Sequence, residues 1–101
     1  MYIVNTSFMV DPAVQTQWLD LVRKHYIPLI IDRGFARPVF TRVVSEEITE
    51  HFTYSIQTEA PDIPAYRVLT GEIFAEYAQI AAPLFGDKVI WFTSLLKKED
   101  Y

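Results

Sequence analysis

Hydrophobic and polar residues alternate at the start of the chain. Over residues 2–10, Tyr2, Val4, Thr6, Phe8 and Val10 fall on one side and Ile3, Asn5, Ser7 and Met9 on the other. That period of two marks a strand with one face on a core. Asp11 followed by Pro12 then signals a helix start. The carboxylate can accept from first-turn N–H groups, and the proline ring fixes a φ that suits the first helical position. Val14, Trp18, Leu21, Val22 and His25 recur at helical spacing, so residues 12–33 are predicted to form a helix with one buried stripe. Pro28 withdraws a donor from the carbonyl of Lys24 and predicts a kink or restart, and Gly34 supplies the stop.

The pattern then repeats. Residues 38–45 read as a second strand and residues 50–58 as a third, with Phe52, Tyr54 and Ile56 opposed to His51, Thr53, Ser55 and Gln57. The acidic stretch of Glu46, Glu47 and Glu50 between them reads as a solvated hairpin tip. Residues 64–82 read as a second helix that buries Tyr66, Leu69, Ile73, Tyr77, Ile80 and Leu84, with Pro83 too late to break much of it. Gly86 and Asp87 turn the chain into a last strand over residues 88–96. This strand is apolar on both sides: Val89, Trp91 and Leu95 on one, Ile90, Phe92 and Leu96 on the other.

Two successive strand–helix–strand units predict an α+β, ferredoxin-like βαββαβ fold, a four-stranded antiparallel sheet with both helices on one face. Right-handed connections give the strand order 4-1-3-2, with strand 4 at an edge. A two-sided apolar edge beside an uncovered sheet face invites association, and a second subunit is the simplest cover.

Composition narrows the partners. At 101 residues the chain reads as one domain over residues 1–97 with a short charged tail at residues 98–101. It has no cysteine, which excludes disulfides and thiolate metal sites and fits a reducing compartment. The formal charge of −4 weighs against nucleic acid and anionic membranes as partners. The third strand also lacks the basic residue and glycines of an RNA-recognition motif. No targeting segment is read, and the densest apolar stretch, residues 26–31, is too short to cross a bilayer. A cytoplasmic protein is expected.

By strand parity the uncovered face carries Asn5, Ser7, His51, Thr53, Ser55 and Gln57, and Arg42 joins them in one of the two parities open to the second strand, where Val39 and Val43 compete with Phe40 and Val44. Such a polar row could line a small-molecule pocket. His51 is then the candidate proton-transfer residue, Asn5 and Arg42 the candidates to orient a bound oxygen atom, and Trp91 a candidate apolar wall. The plainer reading of the same residues is a solvated sheet face. His25 and His51 stand on different elements without a repeated spacing, so no metal site is assigned, and no cofactor motif is found.

Several short motifs in order also resemble a known family. They are the opening run from Tyr2 to Val10, Trp18-Leu19 with Tyr26-Ile27-Pro28, the strand from Arg42 to Glu46, Tyr54-Ser55-Ile56-Gln57, and the run from Phe85 to Val89. Together they resemble a small uncharacterised single-domain family, a domain of unknown function of many Bacteroidetes proteins. That family is similar to the dimeric α+β barrel group, which includes antibiotic-biosynthesis-type monooxygenases, stress-responsive barrel proteins and haem-degrading enzymes. The resemblance implies the fold and a homodimer, and it implies no activity. Two functions follow as expectations. One is a non-enzymatic homodimer that binds a small ligand or a partner. The alternative is a cofactor-independent, monooxygenase-like enzyme acting on a small aromatic or quinone-like substrate.

Overall fold

In the computed structural model, which describes residues 1–45 and 50–101, six elements follow one another. They are β1 (Tyr2–Val10), a helical run α1 (residues 12–32), β2 (Val39–Arg42), β3 (Phe52–Ala60), a second helical run α2 (residues 63–85) and β4 (Val89–Lys97). The four strands form one antiparallel sheet in the order β2-β3-β1-β4, which is the predicted topology. Of the acidic tip predicted between the second and third strands, Glu46 and Glu47 lie outside the described residues. The second strand is shorter than expected, although the Val43 N–H still donates to the Thr53 carbonyl at 2.8 Å.

Both helical runs start as their sequences demand. The Asp11 carboxylate accepts from the Ala13 N–H at 2.8 Å, and the Asp62 carboxylate accepts from the Ala65 N–H at 2.8 Å. Each cap satisfies a first-turn donor that has no partner within the helix.

The helical phase departs from the expected one. Each run contains a widened π turn, Val22–Tyr26 in α1 and Leu69–Ile73 in α2, closed by the Ile27 N–H on the Val22 carbonyl and the Phe74 N–H on the Leu69 carbonyl. A π turn inserts one extra residue, and every later side chain shifts by one position. The buried stripe of α1 is therefore Val14, Trp18, Val22, Tyr26 and Ile30, with Tyr26 rather than His25 turned inward. The stripe of α2 is Leu69, Ile73, Tyr77, Ala81 and Phe85, while Leu84 is exposed and Ile80 only partly buried. Both stripes repeat every fourth residue. In a regular α-helix that row would drift about 40° at each step, and the widened turns bring it back over the sheet. Pro28 falls just beyond the π turn of α1, which takes up the crowding at Lys24 without ending the helix. Pro83 likewise sits inside α2 near its end, and the helix continues to Phe85 before Gly86, at φ 54°, turns the chain.

The core lies between the helices and one face of the sheet. Val4, Phe8 and Val10 of β1, Tyr54, Ile56 and Ala60 of β3, and Val89 of β4 meet the two helical stripes there. Trp18 is its centre, 0% exposed, with ring centroids 5.1 Å from Phe8 and 4.9 Å from Tyr54. Its indole N–H donates to the Tyr77 hydroxyl at 2.9 Å, which ties α1 to α2 and leaves no buried donor unpaired at that point.

Candidate functional site

The register decides which side chains can meet. On the open face Asn5 lies opposite Gln57 of β3 and Ser94 of β4, and Ser7 lies opposite Ser55 and Phe92. The Asn5 side-chain oxygen accepts from the Ser55 hydroxyl. The centre of this face is thus polar and uncharged, as the parity of β1 and β3 predicts. Its margins are apolar: Val39 pairs with Gln57 at the β2 edge, while Ile90, Phe92 and Leu96 follow β4. These four side chains are all exposed, Phe92 to 56%.

The four residues expected to share a pocket are separated. Asn5 alone lies within the open face. Arg42 pairs with Tyr54 and so belongs to the helix-facing side, at the β2 edge, where its guanidinium carbon stands 6.0 Å from the centroid of the Phe52 ring. Two equal choices of parity existed for β2, and Phe40 decides between them by packing against Trp18 and Tyr54, at 6.1 and 5.7 Å between centroids. Trp91 pairs with Phe8 and is on the helix-facing side too, at the opposite, β4 edge. Its parity is set by Val89, which is buried opposite Val10. His51 precedes β3 and is exposed.

A cavity of about 150 Å³ opens instead on the helix-facing side, between the sheet and α2. Its floor is Val4, Thr6, Ile56, Thr58 and Thr93, and its roof is Tyr66, Leu69, Thr70 and Phe74. Tyr26 and Trp91 form two of its walls, with Phe74 and Trp91 only 4.4 Å apart between ring centroids. The π turn of α2 places Leu69 and Thr70 over the space, so the irregularity that shifts the stripe also shapes the cavity. Trp91 is the one residue of the predicted set that reaches it.

The threonine hydroxyls and the Tyr26 phenol of the cavity fall into two sets, and the lining also carries the Tyr66 hydroxyl and the Trp91 indole N–H on partly exposed side chains. Thr6 and Thr93 hydrogen-bond to each other at 3.1 Å, and the Thr70 hydroxyl donates to the Tyr66 carbonyl at 3.0 Å. Among the described residues the hydroxyls of Thr58 and Tyr26 have no side-chain partner, and both oxygens retain accessible surface although the residues are only 3% and 4% exposed. Burial, reinforced by the neighbouring Tyr77, holds the Tyr26 phenol well above its ordinary pKa. Burial also pushes Tyr77 up to about 12, against the Trp18 N–H, which favours the ionised form. Both phenols stay protonated at neutral pH. Sequence reasoning passed over Thr6, Thr58, Thr93 and Tyr26. The signal was present in Thr6, a polar residue on the side of β1 that otherwise carries Tyr2, Val4, Phe8 and Val10.

Comparison with solved structures agrees with this architecture. A dimeric ferredoxin-like protein from an uncultured marine organism superposes with a TM-score of 0.74 at 15% identity, over 99% of this chain and 97% of that one. An ethyl tert-butyl ether (EthD) family protein from Bacillus halodurans C-125 gives 0.68 at 10% identity, over 98% and 100%. An antibiotic biosynthesis monooxygenase gives 0.66 at 17% identity, over 99% and 100%. At such identities the likeness shows the fold alone. No curated protein matches the sequence. Among the described residues no helix is long and apolar enough to cross a membrane. Residues 1–99 match the domain of unknown function DUF4286, and the chain belongs to that family.

Proposed function

We propose that the chain is a cytoplasmic, homodimeric ligand-binding module, with the open faces of two sheets packed together and a small ligand held in the cavity of each protomer. The observation that carries the reading is the cavity itself. It is roofed by a helix, floored by a sheet, and lined by Thr58 and Tyr26, whose hydroxyls have no side-chain partner among the described residues. Hydroxyls on nearly buried residues have little access to water, and a ligand oxygen would supply them with a partner. The dimer is supported by the apolar margins of the open face, Val39, Ile90, Phe92 and Leu96, and by the dimeric ferredoxin-like protein with the same fold.

A cofactor-independent oxygenase for a small aromatic or quinone-like substrate is the alternative. It finds less support in the chemistry of the cavity. Among the described residues its wall carries no carboxylate, imidazole or cation, and burial keeps the Tyr26 phenol protonated and so unavailable as a base. His51 would have to act from outside it.

Native mass spectrometry tests the main reading. The expected result is a dimer that carries a small molecule released on denaturation. Light scattering that shows a monomer at micromolar concentration overturns the dimer. A protein that carries nothing, and whose cavity-lining amides do not shift with any member of a small-molecule fragment library, overturns the binding role. Oxygen uptake in the presence of quinols, abolished by His51→Ala, would establish the alternative.

A further inference from the structure

The size, charge and free hydroxyls of the cavity limit what it can hold. An apolar cavity of about 150 Å³ accepts one benzene-sized ring, and the space beneath α2 is about 150 Å³. Four of its lining side chains are aromatic, Tyr26, Tyr66, Phe74 and Trp91, and present ring faces and edges to an occupant. None of its lining residues is charged, so an ionised ligand would lose its hydration without gaining a counter-charge. The hydrogen-bonding capacity of its buried part is narrow as well, since Tyr66 and Trp91 carry their polar groups on partly exposed side chains. Thr6, Thr93 and Thr70 already have partners, while Thr58 and Tyr26 have none among side chains.

From these features we infer that the cavity selects a neutral, single-ring aromatic compound bearing one hydroxyl, a simple phenol, with its oxygen at Thr58 and Tyr26 and its ring between Leu69, Phe74 and Trp91. This rests on the ligand-binding reading above and adds the class of ligand. Tyr26, kept protonated by its burial, donates to the phenol oxygen. The Thr58 hydroxyl can accept the phenol's proton in a hydrogen bond, and no bond is made or broken.

Calorimetric titration of the intact protein with phenol, toluene, benzoate and 2-naphthol, together with amide-shift mapping by NMR, tests the inference. Phenol is expected to bind roughly fivefold to tenfold more tightly than toluene, the worth of about one net hydrogen bond. Benzoate and 2-naphthol should bind more weakly than phenol, one for its charge and the other for its second ring. Thr58→Val should reduce the phenol-to-toluene ratio to near one. Tyr26→Phe, which keeps the ring packed, should lower the ratio in the same direction. Toluene or benzoate binding as tightly as phenol, a ratio unchanged in both variants, or no binding of phenol at all overturns the ligand class. The wild-type amide shifts separate that failure from failure of the site. Shifts at Val4, Thr58, Leu69 and Thr93 with toluene or benzoate but not phenol keep the cavity and reject phenol. Shifts confined to residues elsewhere reject the cavity as the binding site.

Discussion

Phe8 and Ser7 are neighbours in β1 and meet opposite surroundings. Phe8 is fully buried, with ring centroids 5.1 Å from Trp18, 5.8 Å from Tyr77 and 6.4 Å from Phe74. Ser7 lies on the open face between Ser55 and Phe92. The same contrast runs across the whole sheet. The helix-facing side is closed by aromatic packing and holds the fold together within one chain. The open side has a polar centre with apolar margins, the surface proposed above to meet a second chain. Because strand side chains alternate, stability and the proposed assembly rest on interleaved residues and can be disturbed separately.

The sharpest test of that separation is Trp18→Ala. The side chain is 0% exposed and supplies both packing and a hydrogen bond to Tyr77. Its removal should cost roughly 3–5 kcal/mol in denaturant unfolding, with Tyr77 losing its indole donor. A loss below about 1 kcal/mol would mean that the helix-facing side does not carry the stability assigned to it.

A second test uses pH against the same face. Tyr77 titrates near 12 when folded and near 10.0 when unfolded, and Tyr26 is displaced further in the same direction. Both folded values are raised, so their contribution is complete below pH 10 and declines as pH rises through the folded values. For Tyr77 alone the loss between pH 10 and 12 should be about 2 kcal/mol. Urea melts at pH 9 and pH 11 should show the decline, and Tyr77→Phe should reduce it to the part that Tyr26 contributes. A stability that is level across this range would show that the phenols are more hydrated than their burial indicates.

On the open side the expected effect is on assembly. Phe92→Asp places a charge on the apolar margin beside Ser7. The dimer should weaken at least about tenfold, while the stability of the folded monomer changes by less than roughly 0.5 kcal/mol. Sedimentation across a concentration series would measure the first and denaturant melts under monomeric conditions the second. An unchanged dimer would place the interface elsewhere.

Much of the contrast between faces was legible in the sequence. The alternation of β1 predicted its span and both faces, and Phe52, Tyr54 and Ile56 were assigned to the side they occupy. The misread positions share one cause in the helices. A period of 3.6 has no place for the residue added by a π turn, so His25 stood in for Tyr26, and Ile80 and Leu84 for Ala81 and Phe85. In the strands, Arg42 and Trp91 were grouped with Asn5 because the partner that fixes each parity is distant in sequence: Trp18 through Phe40, and Val10 through Val89. The cavity is a tertiary product of the π turn in α2, and only its buried threonines left a local trace.

Those threonines give the finest division within the helix-facing side. Thr6 and Thr58 are both nearly buried on adjacent strands, but Thr6 shares a hydrogen bond with Thr93 and Thr58 has no side-chain partner. Replacing either by Val keeps the shape and removes the hydroxyl. Thr6→Val should therefore destabilise the ligand-free protein by about 1 kcal/mol, since it deletes a bond and leaves Thr93 facing an apolar neighbour. Thr58→Val should have the opposite sign, a gain of up to about 1 kcal/mol, because it removes a poorly hydrated hydroxyl that has no side-chain partner among the described residues. Matched thermal and urea melts of the two variants measure the difference directly. Equal losses in both would mean that ordered water already serves the Thr58 hydroxyl, and that a ligand entering the cavity has to displace it.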